Sequence, residues 1–397
     1  MKVLIITQHF PPDLGASAFR MKSLYDHLKH KDNCVYVLTA TPNRYSNMNI
    51  KKSYLQSDNI VRVKVSPQKS SLIQRSWVYL IEVFEFVKKG IPLAKKADVI
   101  LATTPPLTIA YVGAILSRIS GKKLIIDIRD PWIDAAKEMG ILKNKLLWSL
   151  LKKFEKSIYK KACTVVINSP AFVSYITSLN IKTRFFLITN GIEDEVFNKL
   201  LNIEEKLPKR PYIITYSGNL GKAQMLSSII PAVKDFKDKI ILRLIGDGTD
   251  VENIRKIKEE LKIDNLEIHP PISRDKLFSK YFPKTDAFLV HLAKKKVFEK
   301  TIPSKIFEYM STGKLILYGV DGVSKSILDE AKAGFWFEPE NPKAFRKVIK
   351  EMINYFETGG KNKNSYTINY VKEHYLRSLL NEKWLKVLEE VSNAKYC

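Results

Sequence analysis

The chain has three cysteines in 397 residues, Cys34, Cys163 and Cys397. Wide spacing and an odd number fit neither a disulfide framework nor a zinc site, so a reducing, cytoplasmic setting is expected. No apolar run approaches the roughly 18–20 residues of a spanning helix, because Glu82 and Glu85 interrupt the best candidate, WVYLIEVFEFV. The opening MKVLIITQHFPP stops being apolar at Gln8 and His9, which makes it a first buried strand rather than a signal peptide. The six histidines show no metal-ligand spacing, and no Asp-x-Asp triplet is present to hold a metal–diphosphate. Gly-x-Gly-x-x-Gly, a P-loop and a Gly-x-Ser-x-Gly turn are absent too, which removes the usual signs of a dinucleotide enzyme, a nucleoside triphosphatase and a serine hydrolase.

What is present in excess is positive charge. The formal net charge is +25. Residues 1–190 hold 30 Lys+Arg against 12 Asp+Glu, a net of +18, leaving 36 against 29, or +7, for the remainder. Nucleic acid, anionic lipid or a phosphorylated substrate would suit that field, as would a merely lysine-rich surface.

Short apolar runs alternate with helical stretches: VLIIT (3–7), CVYVLTA (34–40), VRVKV (61–65), DVILATT (98–104), KLIIDI (123–128) and CTVVIN (163–168). The pattern restarts with YIITYSG (212–218), IILRLIG (240–246), LEIHPPI (266–272), AFLVHLA (287–293) and KLILYGV (314–320). Such alternation predicts βαβ units and parallel sheets, hence two α/β domains in tandem. The seam is expected after residue 197, in the proline-broken, charged NKLLNIEEKLPKRPY. That makes residues 1–197 one domain and 198–372 the other. Helical rhythm closes the chain, at 342–357 and 366–392.

Ligands of open α/β sheets lie beyond the carboxyl ends of the strands. After the first strand, Gly15 precedes a helix and can bring backbone N–H groups to a phosphate, although an ordinary turn looks the same. YSGNLGKAQ (216–224) offers Gly218, Asn219, Gly221 and Lys222 before an expected helix, a combination suited to an anion. Gly246 in LIGDGTD and Ile272 in HPPISRDKL could border a flat base, or simply form turns. In TIPSKIFEYMSTGKLI, Pro303 suits a first helical turn and Thr301 or Ser304 can cap it. Lys305 adjoins, and Glu308 lies one turn inside, where a carboxylate can accept from a vicinal diol. Together these residues describe a nucleoside diphosphate with its ribose.

The order of Gly loop, SGNLGK, LIGDG and PSKIFEYMSTGKLI resembles the GT-B retaining glycosyltransferases of family 4 (group 1) over about residues 3–390. QHFPP, DIRDPW and GNLGKAQ are similar to its bacterial N-acetylfucosaminyltransferase-like branch. The resemblance implies two facing Rossmann-like domains, with the acceptor held mostly by the first and a nucleotide-sugar donor by the second. It also implies a C-terminal helix, about 373–392, that crosses back onto the first. By the same resemblance Gly15 approaches the donor phosphates, Gly218, Asn219 and Lys222 bind the diphosphate, and Gly246 and Ile272 border the base. Ser304 and Lys305 would lie at the phosphates and Glu308 on the ribose. The family's first glutamate, at the transferred sugar, would fall at Lys300; Glu299, one residue earlier, is its expected substitute. Near the reacting centre the resemblance places Arg129 and Asp130 of DIRDPW, with Asp130 on a sugar; a loop-stabilising Asp–Arg pair is the other reading.

The expected reaction is metal-independent transfer of a sugar from a nucleoside-diphosphate donor, with uracil as the base by the branch resemblance. The acceptors implied are a glycan, an undecaprenyl-diphosphate-linked lipid or lipopolysaccharide in bacterial cell-surface polysaccharide synthesis. A UDP-sugar 2-epimerase or phosphorylase on the same fold is the first alternative. A nucleic-acid-binding protein using the basic half is the second, weakened by the lack of any recognition motif. Two basic stretches, 71–97 and 143–162, join aromatic and aliphatic bulk to lysines. They suit a peripheral position on the cytoplasmic membrane face, or else packing on their own sheet.

Overall fold

Parallel strands dominate the computed structural model, which describes residues 1–13, 15–42, 59–65, 72–138, 140–204 and 206–394, with side chains of the 72–96 helix from residue 79 onward. Ser71 and Cys397 lie outside the described residues. Two compact units form: Met1–Asn190 joined by Arg377–Cys397, and Gly191–Leu376.

The first unit holds β1 (Lys2–Thr7), β2 (Cys34–Ala40), β3 (Ile60–Val63), β4 (Val99–Thr104), β5 (Lys123–Ile128), β6 (Thr164–Ile167) and β7 (Arg184–Leu187), all parallel, in the order β3-β2-β1-β4-β5-β6-β7. Its helices are α1 (Ala16–His30), α2 (Leu72–Lys96), α3 (Leu107–Ser120), α4 (Trp132–Glu138), α5 (Lys145–Tyr159) and α6 (Phe172–Ser178). Strand residues alternate between faces. Leu4, Ile6, Ile100, Leu124 and Ile126 enter the core under α2, α3, α5 and α6, while Val3, Ile5, Leu101 and Ile125 face the core under α1. Burial on both faces is why these strands read as unbroken apolar runs.

The second unit repeats the plan with β8 (Tyr212–Ser217), β9 (Ile240–Ile245), β10 (Leu266–His269), β11 (Ala287–His291), β12 (Leu315–Gly319) and β13 (Gly334–Trp336), in the order β10-β9-β8-β11-β12-β13. Around it lie α7 (Asp194–Leu201), α8 (Val251–Leu261), α9 (Arg274–Lys276), α10 (Lys296–Glu299), α11 (Lys305–Ser311), α12 (Val323–Glu330), α13 (Pro342–Glu357) and α14 (Ser365–His374). The last helix, α15 (Arg377–Asn393), belongs to the first unit, where Leu380, Trp384 and Leu388 bury with Met21, Leu24 and Leu28 of α1.

Several expectations need correction. The units divide at Asn190/Gly191 and Leu376/Arg377 rather than at 197/198 and 372/373. Ile192, Phe197 and Leu200 bury with Phe307 and Tyr375, and the Ile192 N–H donates to the Tyr375 carbonyl, so apolar burial outweighs linker composition. The short edge strands β7 and β13 escaped notice because neither is a buried apolar run. After SGNLGK the chain forms 3-10 turns (Leu226–Ser228 and Ile230–Phe236) instead of an α-helix, with Pro231 in the second. Cys34 is free.

One buried ion pair ties the first unit together. Arg20 of α1 forks onto Asp127 of β5, with Nε and Nη2 each 3.1 Å from a carboxylate oxygen. The same guanidinium donates to the carbonyls of Ile188 (2.8 Å) and Thr189 (2.7 Å) and lies 5.4 Å from the Trp384 ring of α15. Asp127 of DIRDPW is thus a structural aspartate, paired with Arg20.

Candidate functional site

Beyond the carboxyl ends of β8 and β9, two glycines press against each other. Gly218 has φ 132° and Gly246 φ 152°. A Cβ on Gly246 would come 1.8 Å from the Gly218 carbonyl oxygen, so only glycine allows the strand ends to approach this closely. Gly246→Ala should therefore separate them at a cost of about 1–3 kcal/mol, read as a lower Tm together with weaker nucleotide binding.

The loop that leaves β8 is held by its own polar groups. The Tyr216 hydroxyl donates to the Asn219 carbonyl (2.7 Å), and Gln224 Oε1 accepts from Asn219 Nδ2 (2.8 Å) and from the Gly221 N–H (3.3 Å). Behind it His291, at the end of β11 and 1% exposed, joins the Gln224 carbonyl (2.6 Å) to the Glu340 N–H (3.0 Å). That pairing requires a neutral ring, a donor at Nδ1 and an acceptor at Nε2, and burial pulls its pKa down to about 4. Lys222 stands exposed on the rim, its N–H facing Thr249 Oγ1 at 3.4 Å.

Lys305, first residue of α11, reaches back over this loop. Its ammonium lies 3.7 Å from the Tyr216 ring centroid and so close to Gly218 that a Cβ there would stand 2.8 Å from it. Among the described residues it makes neither a hydrogen bond nor an ion pair. Desolvation lowers its pKa to about 7, with Glu308 pulling the other way. A cation held over an aromatic face without an ion-pair partner is arranged for an anion.

Glu308 sits one turn further into α11. Its Oε1 accepts from Arg274 Nη2 at 2.6 Å, and the same nitrogen lies 3.3 Å from Glu193 Oε2. Burial raises the Glu308 carboxyl above its ordinary value, against the pull of Arg274. Arg274 and Glu193 were not foreseen. Arg274 stands 34 positions before Glu308 and 81 after Glu193, and no local spacing marks groups that only folding brings together.

The remaining candidates are dispersed. Ile272 is half-buried beside the core of the second unit, and Ser304 is exposed immediately before α11. Neither Ser304 nor Thr301 caps α11: Ser304 makes no cap hydrogen bond, and the Thr301 hydroxyl donates to the Val297 carbonyl (3.3 Å). Glu299 ends α10 with its side chain exposed and its carbonyl against Gly322. Gly15, Arg129 and Asp130 belong to the first unit. Gly15 stands at the start of α1 with φ 128°, and the Arg129 N–H donates to the Thr104 carbonyl (3.0 Å). The Asp130 residue is exposed, yet the protein around its carboxyl raises the pKa, with Arg129 opposing.

Two Rossmann-like units with parallel sheets define a protein of the GT-B class. The model of the family "Glycosyl transferases group 1" matches residues 199–385, which include the Gly218 loop, Gly246, Arg274, Lys305 and Glu308. The probable glycosyltransferase WbjE of Pseudomonas aeruginosa is 26% identical over 323 residues, 76% of this chain and 78% of that protein. The "Putative colanic acid biosynthesis glycosyl transferase WcaI" of Escherichia coli K12 is 23% identical over 344 residues, 79% and 82% of the two chains. The solved structure of Anabaena Alr3699/HepE in complex with UDP superposes with a TM-score of 0.70 at 15% identity, covering 98% of this chain and 100% of that one. The family model and these relatives support a glycosyltransferase, with residues 199–385 matching the group 1 model.

Proposed function

We propose that the protein transfers a sugar from a UDP-sugar to a glycan or lipid-linked acceptor in cell-surface polysaccharide synthesis, with retention of configuration. The observation that carries the donor site is the ammonium of Lys305, unpaired among the described residues and lodged against Gly218 and Tyr216. The UDP held by HepE and the polysaccharide in the name of WcaI support the base and the pathway class.

In this reading the backbone of the Gly218 loop, Lys222 and Lys305 receive the diphosphate, and Gly246 and Ile272 border the uracil. Ser304 joins the phosphates, while the Glu308 oxygen not engaged by Arg274 accepts from the ribose hydroxyls. As the glycosidic bond breaks, charge builds on the departing diphosphate. Two lysines stabilise that charge more than they stabilise the bound donor, without need of a metal. In the first unit this reading keeps Gly15, Asp130 and Arg129 as candidates for donor or acceptor contacts, and in the second Glu299 takes the role of the missing first glutamate.

A thermal-shift comparison of UDP, GDP, ADP and CDP tests the donor. UDP is expected to raise Tm most, since ligand at 100 times its Kd adds about 2.7 kcal/mol. No shift with any of the four rejects the reading. Product analysis without acceptor separates transfer from epimerisation, because an epimerase converts the donor alone.

A further inference from the structure

Helix α5 anchors its C-terminal end in the core and leaves its N-terminal half bare. Ile158 and Tyr159 are buried with Glu155, and half-buried Lys152 binds Glu155 (2.6 Å), Asp134 (3.1 Å) and the Tyr175 hydroxyl (3.0 Å). Three of its leucines face water: Leu146 is 71% exposed, Leu147 46% and Leu150 54%. Residues 143–162 hold seven lysines and one acid, and that acid, Glu155, is spent on Lys152 and Tyr159. Lys143, Lys145 and Lys153 are left exposed around the leucines.

Helix α2 repeats the arrangement, with Leu80 62% exposed, Ile81 59% and Phe84 65%, followed by exposed Lys88, Lys95 and Lys96. Its acids, Glu82 and Glu85, are half-buried, and burial raises the Glu82 pKa. Helix α3 packs against both α2 and α5, and its Tyr111 stands 5.1 Å from the Phe154 ring of α5. Both helices return to the amino edge of the sheet, at Ala97 and near Tyr159. Their apolar stretches therefore stand toward the carboxyl edge, where Arg129 and Asp130 lie.

We propose that the exposed faces of α2 and α5 are a docking surface for an anionic lipid bilayer. Neither helix can span: among the described residues no helix is long and apolar enough to cross a membrane. Bulky apolar side chains flanked by lysines enter the headgroup layer, and the lysines pair with acidic headgroups. Charge complementarity selects the leaflet: exposed lysines flank the bare apolar side chains on both helices, and a layer of acidic headgroups over an apolar interior meets both features at once. The acceptor side of the first unit is thereby brought to the membrane surface.

The test is flotation of the full chain with vesicles of phosphatidylcholine alone or of equal parts phosphatidylcholine and phosphatidylglycerol. Binding is expected to the mixed vesicles only. Leu146→Gln with Leu150→Gln, and separately Leu80→Gln with Phe84→Gln, should each lower the partition coefficient about tenfold or more. Absence of binding to mixed vesicles, or binding unchanged in both double variants, overturns the proposal. So does light scattering that shows a wild-type dimer and a monomeric double variant. UDP-induced stabilisation measured on the same samples must persist in the variants, which establishes that they fold. If UDP stabilises none of the samples while wild type still floats, the donor reading fails and the docking surface stands.

Discussion

Replacing Lys305 with alanine is expected to lower kcat/KM for the donor about 10²–10³-fold, the usual loss when one preorganised charge-stabilising group is removed from a reacting centre. The same change should abolish most UDP-induced thermal stabilisation while leaving the unliganded fold intact, because the ammonium makes no hydrogen bond or ion pair that folding depends on among the described residues. The wild-type pH profile gives a second signature. With its pKa lowered to about 7 in the free protein, Lys305 is increasingly neutral above that value. A bound diphosphate restores the charged form, so binding takes up a proton, and affinity should fall between about pH 7 and 9 with a slope approaching tenfold per unit. Stability moves the other way. The folded pKa lies below the unfolded one, so the folded chain binds fewer protons between about 7 and 10.5, and this group's contribution to stability rises with pH across that window. In Lys305→Ala both slopes should disappear. Isothermal titration at pH 7, 8 and 9 measures the first, and wild-type affinity independent of pH would remove the lysine from the phosphate site.

Arg20→Met should destabilise the first unit by about 3–5 kcal/mol. The substitution leaves the Asp127 carboxylate buried without its fork and strands the Ile188 and Thr189 carbonyls. It also removes the guanidinium from Trp384, loosening the junction of α1 with α15. For a unit of this size the loss corresponds to a fall in Tm on the order of 10 °C. Adding Asp127→Asn should return part of it, since the second change removes the charge that the first left unpaired. A denaturant melt of the two single variants and the double variant decides this. Additive losses would mean that the pair contributes packing only.

These residues show where sequence reasoning stops. Asp127 and Asp130 stand three positions apart in DIRDPW, and nothing local tells the structural aspartate from the exposed one. The difference lies in α1, more than a hundred positions earlier, which brings Arg20 to Asp127. Lys305 and Glu308 were legible because they lie one turn apart on a helix after a strand. Arg274, which holds Glu308, was not, since it arrives from the loop beyond β10. Lys314 of the same motif gave no sign of its role; its buried ammonium donates to the carbonyls of Phe282 (3.0 Å) and Pro283 (3.3 Å).

The leucines of α5 carry the same lesson for surfaces. Helical spacing puts Leu146, Leu147, Leu150, Leu151, Phe154 and Ile158 near one face, yet the structure buries Ile158 and exposes Leu146, Leu147 and Leu150, because exposure depends on how far the neighbouring elements extend. Lys152 reaches Asp134 and Tyr175 on neighbouring elements, and Glu155 is held by Lys152 and Tyr159 of its own helix, while Leu146, Leu147 and Leu150 stay outside.

By itself the sequence determined the alternation of buried strands and helices, the two α/β domains and the glycines after strands, because each rests on local periodicity and backbone freedom. Only the tertiary structure decided the unit boundaries, the partners of Asp127 and Glu308, the isolation of the Lys305 charge and the outward face of α5. Each depends on which distant groups share a low-dielectric interior, where an unpaired charge or an unsatisfied donor costs most.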